Sequence, residues 1–522
     1  MKAFFGRTVI VISVLIVMTA AAYAQMREVI IENTGMLECI QDAIVADLTA
    51  NGEDVVNNTK YILRRGETYV HSTQYQPSHK VWLEAEPGDG PRPRILGVNT
   101  GGEAPRLVRS TNSMTFIGLR IEGLDSDGNH TDNAPLRQRG AGSRLIARDC
   151  IFSDHRLEIG RVDGVEQKWY FENNLIVKNF QKNFWDKGYT FSFSNNKTDS
   201  FIVKNNTFYN STCGLFHSDA TNGGKYIEFS QNTLHNLGGL YQGYVYQNAF
   251  NAAMVNLGPF QNIVCKDNLI VDCMVFGYPE VWADNLSIIN IDLTDSTETI
   301  DVRNNNIWRD PEFAALNPDS LVYIKWFDHE LDSLIGDGSA FGFISEAVAF
   351  NNVPDVGPMK EAVQNNFSAP DAMFNPDLLN LDETPDPAEV DYGYTAKLSP
   401  TASTGGGPLG AARWHAGVKV GVANHSVPAV NAFTLYGNYP NPFNPSTTIR
   451  FDLQQPADVQ IKVINLRGQV VYESPEAPMA AGNNLGININ ASDWTSGVYI
   501  YQVLARNIQM THTASGRMLL LK

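Results

Sequence analysis

The feature that most constrains this chain is a short segment that keeps returning between about residues 110 and 310. It reads apolar-x-polar-Asn-x-apolar and lies within β-branched and aromatic, strand-like sequence. The copies are Phe171–Ile176, Val203–Phe208, Phe229–Leu234, Cys265–Ile270 and Val302–Ile307, with asparagine anchors at Asn174, Asn206, Asn232, Asn268 and Asn305. Two earlier segments fit with the asparagine replaced: Ala147–Phe152 carries Cys150, and Phe116–Ile121 carries Leu119. From Leu119 onward the anchors are 31, 24, 32, 26, 36 and 37 residues apart. Periods of this size mark solenoids. Helical solenoids do not fit, because the segments carry no amphipathic helical stretch, and the consensus leucines of leucine-rich repeats are missing. The expected fold is all-β: a right-handed parallel β-helix of three short strands per turn, with loops of variable length.

The recurring asparagine has a physical reason. Coils stack at the ordinary strand spacing of about 4.8 Å. An inward amide at each coil can therefore donate to its copy on one side and accept from its copy on the other, satisfying buried polar groups along the whole axis. Asparagine also tolerates the dihedrals of tight turns. Asn-rich turns on an antiparallel sandwich are the alternative, but a sandwich has no reason to repeat the anchor inside matching strands. Leu37, Ile40, Ile44 and Leu48 fall at helical spacing, as expected for an amphipathic helix covering the open N-terminal coil.

The chain opens with Lys2 and Arg7, a short apolar run from Val9 to Met18, and Ala22-Tyr23-Ala24 as a cleavage site. Residues 1–24 therefore read as a signal peptide, too short in its apolar core to span a bilayer. The mature chain has no other long apolar run. Its five cysteines form no C-x-x-C pair, so a disulfide framework or zinc site has little support; a bridge between Cys265 and Cys273 is the one pairing left open. The formal net charge of −17 argues against nucleic acid as a partner, and against polyanionic glycans unless a local basic groove overrides the global field.

Four domains are expected: the signal peptide at 1–24, the β-helix with its caps at 25–382, a Pro/Thr/Gly-rich linker at 383–430, and a small immunoglobulin-like β-sandwich at 431–522. Within 310–382, "PEFAALNPDS" and "MKEAVQNNF" read as short capping helices. The sandwich shows clean alternation in Val459-x-Ile461-x-Val463 and again in Val498 to Val503.

Three resemblances follow from these residues. "RRGETYV" and "PGDGPRPRILG" resemble the opening rungs of pectate-lyase-like β-helix proteins. "LSPTASTGGGPLGAARW" is similar to the closing segment after β-helices in exported Bacteroidetes-type proteins. "LYGNYPNPFNPSTTIRFDL", "VINLRGQVV", "GVYIYQV" and "GRMLLLK" resemble, in order, the type IX secretion sorting domain, with Asn438, Tyr439, Pro440, Asn441, Pro442 and Phe443 as its opening motif. Tyr439 and Phe443 are expected to pack onto the sandwich. The resemblance implies recognition by the type IX machinery and a secreted or outer-surface location, reached through the periplasm.

No nucleotide loop, metalloprotease motif or nucleophile elbow is present. The β-helix resemblance implies chemistry on the outer face of one sheet, and polysaccharide lyases of this shape need a cation for the uronate carboxylate, a base and often calcium. Lys187 and His217 follow their anchors by 13 and 11 residues, and Asp154-His155-Arg156 occupies a comparable place. Lys187, His217 and Arg156 are the candidate catalytic groups. Arg137, Arg139 and Trp185 are the candidate substrate contacts. Asp125, Asp127, Asn129 and Asp132 surround a glycine turn and could offer oxygen ligands to calcium. A solvated polar row and a plain polar turn explain the same residues equally simply. Trp169 and Tyr170 serve either sugar stacking or the core. Two functions stay open: a carbohydrate-active enzyme, above all a uronate-polysaccharide lyase, and a non-catalytic extracellular glycan-binding or scaffold protein.

Overall fold

The computed structural model describes residues 26–98, 106–123, 135–155, 158–178, 189–193, 198–211, 214–218, 223–237, 253–273, 287–291, 297–311, 325–327, 329–354, 390–415, 433–453, 456–465, 470–506 and 511–522. The signal peptide, Lys187, Trp185, Arg156, the Asp125–Asp132 loop, Cys213 and the expected helix at "MKEAVQNNF" lie outside the described residues, as does nearly all of "PEFAALNPDS". The chain divides into two compact units, residues 1–421 and 422–522.

The first unit is a right-handed parallel β-helix. Sheet A has ten parallel strands, from Arg27–Ile31 and Thr59–Leu63 to Phe260–Lys266 and Thr299–Arg303. Sheet B has nine, from Thr68–His71 to Asn306–Trp308. Sheet C has five, Val108–Ser110, Leu136–Gln138, Gly160–Val162, Phe191–Phe193 and Phe216–Ser218; Ala253–Asn256, Ser287–Asn290 and Lys325–Phe327 form a further parallel set of three. From Val81 onward the chain passes in each turn from A to B and then to sheet C or, in the last three turns, to the further set. Leu145, Trp169, Phe201, Ile227, Ile263 and Ile300 stand in register on sheet A, so the coil repeat equals the anchor spacing in the sequence. Inside, aromatic rings stack between coils, Trp169 at 5.7 Å from Phe201. Trp169 is thus a core residue, which removes it from any sugar platform.

The anchors form the expected ladder at the corner between sheets A and B. Asn206 Oδ1 accepts from Asn174 N and Asn174 Nδ2, both at 2.9 Å. Asn206 Nδ2 donates to Phe171 O at 2.9 Å and to Asn232 Oδ1 at 3.2 Å. The same set recurs through Asn268 to Asn305. Cys150 continues the column: its N–H donates to Asn174 Oδ1, and its thiol points at Phe116 O, 3.5 Å away. The residue before each anchor is left-handed: Gly118, Asp149, Asn173, Asn205, Gln231, Asp267 and Asn304 have φ between 51° and 72°. Their side chains are Gly, Asn, Asp and Gln, among which Gly, Asn and Asp bear this conformation most cheaply.

A second left-handed column lies five residues further on, at Asp154, Lys178, Asn210, Asn236 and Asp272, where sheet B ends. Asn236 Nδ2 donates to Asn210 Oδ1 at 2.8 Å. The sequence reading did not extract it, because Asp, Lys and Asn alternate there.

The cap helix runs from Cys39 to Asn51, burying Ile44 with Ile40 and Leu48 packed beside it. Leu37 precedes it and is exposed. Asp47 fixes this helix. Its carboxylate takes Arg27 Nη1 and Nη2 at 2.6 and 2.9 Å, and Tyr61 Oη at 2.7 Å.

Residues 390–415, inside the stretch expected to be an extended linker, form a strap along the outer face of sheet B. Trp414 Nε1 donates to Thr207 Oγ1 at 2.7 Å, and Arg413 Nη1 to Asn173 O at 2.7 Å. Ala411 N donates to Thr233 Oγ1 at 2.9 Å. Thr404 N and Gly410 N donate to Asp267, at Oδ1 and O respectively. Tyr392 packs on Tyr209 and His235. Proline and glycine gave this segment the composition of a coil, while its backbone bonds go to the β-helix.

Cys39, Cys150, Cys265 and Cys273 are free and buried, so the bridge between Cys265 and Cys273 does not form. A helix at His329–Ile335 was not anticipated.

The second unit is a sandwich of antiparallel sheets. Phe433–Tyr439, Ser446–Leu453 and Gly482–Asn490 make one; Ala457–Asn465, Val470–Glu473, Ala477–Met479, Gly497–Arg506 and Thr511–Leu520 make the other. Ile449, Phe451, Ile461, Val463, Tyr501 and Met518 share its core. Phe443 is buried there, but Tyr439 is 74% exposed and does not pack as expected. Asn441 Oδ1 accepts from Leu519 N at 2.9 Å, and Phe443 N donates to Leu519 O at 2.9 Å, so the proline-rich motif is sewn to the last strand.

Two stability measurements test these assignments. Replacing Asn206 by Leu strands the partners of its amide on both neighbouring coils, and a cost of about 2–4 kcal/mol is expected in denaturant unfolding of the β-helix; a loss below about 0.5 kcal/mol would contradict the ladder. The Arg27 guanidinium, with Tyr61 and Asn51 beside it, holds the Asp47 carboxyl at about 2, well below the ordinary carboxylate range. A lowered carboxylate contributes stability that is complete above its unfolded value and is lost as pH falls through its folded one. Asp47→Asn should therefore cost about 1–2 kcal/mol at neutral pH, and the gap from the parent should close as pH drops toward about 2.

Candidate functional site

Sheet C carries the densest positive charge on the described β-helix face. Its first three strands are only three residues long, and in each the outer two residues face the core while the middle one faces out. The middle residues are Arg109, Arg137 and Arg161, paired in register. Three guanidiniums therefore stack on one line, one coil apart, at about 4.8 Å per step. The same register position continues through Ser192 to His217. Gly160 is part of this placement: the Trp169 ring lies 2.5 Å from where a Cβ at Gly160 would stand, so only glycine lets the strand before Arg161 close over the core.

Flanking positions add to the column. Arg106 and Glu158 each stand two residues before their strands, and Arg139 and Asp163 each follow theirs directly. Asp163 bridges the column, taking Arg137 Nε at one oxygen and Arg161 Nε at 3.1 Å at the other. Glu158 Oε1 lies 3.8 Å from Arg161 Nη1. The described face thus sets five guanidiniums against two carboxylates. Arg106 Nε and Arg109 Nε are shielded from water and have no hydrogen-bond partner among the described residues.

The electrostatics follow. Burial holds Arg106 below its ordinary range, with the neighbouring Arg137 adding to the effect. Burial likewise lowers Arg109, reinforced by Arg139 and Arg137. Burial pushes the Glu158 carboxyl up, opposed by Arg161, Arg106 and Arg137 and assisted by Asp163. Burial is the first cause of each shift; neighbouring guanidiniums add to it at Arg106 and Arg109 and oppose it at Glu158.

The sequence-expected residues separate in this frame. Arg137 lies on the face of sheet C and Arg139 directly follows its strand. His217 shares the register position of the arginine column. His155 does not project into a row: it is buried, with Nε2 3.1 Å from Ile121 O, while Asp154 is half-buried with Lys178 Nζ 4.0 Å from its Oδ1. Lys187, Arg156 and Trp185, outside the described residues, belong to connections that lead into sheet C strands. The Asp125, Asp127, Asn129 and Asp132 loop leads into Leu136–Gln138. Among the described residues no cluster of His, Cys, Asp or Glu could hold a metal ion. Arg109, Arg161 and Arg106 were missed, because a three-residue strand gives no alternation to read; the anchor spacings of 24 and 31 residues lead from Arg137 to Arg161 and Arg106, while Arg109, 28 residues before Arg137, is matched only by the register.

Comparison with known families places residues 438–514 in the secretion system C-terminal sorting domain. The protein is therefore an exported one, secreted or displayed on the cell surface, in which a parallel β-helix is followed by a sorting domain that addresses the type IX machinery. No curated protein matches the chain. Among the described residues no helix is long and apolar enough to cross a membrane.

Proposed function

We propose that the β-helix, delivered through the periplasm and across the outer membrane, binds an acidic polysaccharide along the outer face of sheet C. The observation that carries this reading is the register of Arg109, Arg137 and Arg161. A linear chain of uronates advances by a step similar to one coil, so successive carboxylates can meet successive guanidiniums, and paired charges of this kind form the stronger hydrogen bonds. A net acidic protein with one basic face would select a polyanion at that face and repel it elsewhere. Arg139 would extend the contact at the rim, and Trp185 would stack on a sugar ring.

His217 on the same register position favours a second reading, a uronate lyase. There the arginines would neutralise the carboxylate while His217 or Lys187, with Arg156 nearby, takes the α-proton and the glycosidic oxygen leaves. The Asp125, Asp127, Asn129 and Asp132 loop would supply the calcium such chemistry often uses.

Affinity gels of polygalacturonate, alginate and a neutral plant glycan, with and without calcium, test both. The full-length protein is expected to be retained by the acidic gels alone. Arg109→Gln and Arg161→Gln should each weaken retention by roughly tenfold and flatten its salt dependence. Equal retention of the parent and both variants would sink the reading. Appearance of unsaturated uronate by ultraviolet absorbance, lost in His217→Ala or Lys187→Ala, would establish the lyase; binding without it would leave a glycan-binding protein.

A further inference from the structure

Glu158 stands out among the groups of sheet C. It is 8% exposed, and among the described residues its ion-pair contact is Arg161 Nη1 at 3.8 Å, at the limit of an ion pair, while Arg161 spends its Nε on Asp163. Among the described residues, the charged groups facing it are Arg161 and Asp163 on its own coil, Arg137 one coil before, and Arg106 two coils before. Arg106 and Glu158 occupy equivalent places before their strands, two coils apart, so the Glu158 carboxylate stands on the same flank of the arginine column as Arg106.

We propose that Glu158 is a built-in competitor for the ligand's acid group: its carboxylate partly satisfies Arg161 and Arg106, so a polyanion binds sheet C with uptake of one proton at Glu158 and binds more tightly as the medium acidifies. The inference rests on the anion-binding reading of the arginine column. The balance is simple. A proton passes from solvent to a Glu158 oxygen, the carboxylate becomes a neutral acid, and the guanidiniums it faced become available to the incoming anion. Without ligand, burial already favours the neutral form while the three arginines oppose it. Adding an external anion cancels part of the arginine field, which moves the balance further toward the protonated acid. The sign is fixed: a group that gains a proton on binding strengthens binding as pH falls.

Dextran sulfate is the suitable probe, because its sulfates stay ionised and only the protein titrates. The full-length protein is titrated calorimetrically at constant salt between about pH 7 and about pH 4, in two buffers of different ionisation enthalpy. The parent should tighten roughly three- to tenfold across that range and take up a proton on binding. Glu158→Gln should bind at neutral pH about as tightly as the parent does in acid, and should lose most of the pH dependence. Glu158→Ala, which also removes the carboxylate, should reproduce this if the glutamine variant melts early. Retention of the parent's full pH dependence in both variants would overturn the proposal while leaving the arginine column intact. Absence of binding by the parent at every pH would overturn the anion-binding reading on which it rests.

Discussion

Everything in the β-helix depends on one column of buried amides. A parallel coil must turn a corner between sheets A and B in every turn, and at each corner the backbone leaves N–H and C=O groups facing a dry interior. Asn174, Asn206, Asn232, Asn268 and Asn305 meet that demand with a single side chain per coil, which donates to a carbonyl of the preceding coil and accepts from the amide of its own copy. The left-handed residue before each anchor aims the amide inward. Because each asparagine is paired with the next, coils cannot slip past one another without breaking the whole column, and so the ladder sets the register of all three sheets. Cys150 shows how far the rule bends: a thiol can replace the donor, at a position where the column ends.

That register creates the candidate site. The arginines of sheet C come from segments that are far apart in sequence and share no motif, yet the ladder fixes them at one step per coil. Sheet B offers the contrast. Its outward residues include Val177, Tyr209, Leu269 and Val271, which are apolar, and the strap of residues 390–415 covers them. Sheet C instead presents Arg109, Arg137 and Arg161, partly exposed, with one carboxylate, Asp163, shared between the last two. A protein of formal net charge −17 that gathers guanidiniums on one line concentrates its attraction for anions there.

Much of the fold was legible because the asparagine ladder writes itself into the sequence: the anchor spacings of 24, 32, 26, 36 and 37 are the separations of the bonded amides. The sorting domain was legible from its motifs, with Phe443 buried as expected and Tyr439 exposed against expectation. Less of the site could be read. Arg137 and Arg139 were found as isolated charges, whereas Arg109 and Arg161 became partners only through register. His155 looked like an outward polar group because nothing in its neighbourhood announces the second left-handed corner, at Asp154, beside which it is buried. The strap escaped because its contacts with Thr207, Thr233 and Asp267 are backbone bonds and single hydroxyls, to which composition is blind.

Amide hydrogen exchange at the anchors tests the central claim most directly. The N–H groups of Cys150, Asn174, Asn206, Asn232 and Asn268 each donate to an anchor Oδ1 on the next coil, in corners that a polar turn would leave to water. The account predicts that they exchange only by global unfolding of the β-helix, as slowly as the amides of the sheet A strands beside them. Exchange at the rate of exposed turns would contradict it, and would mean that the asparagines decorate the corners rather than hold the coils in register.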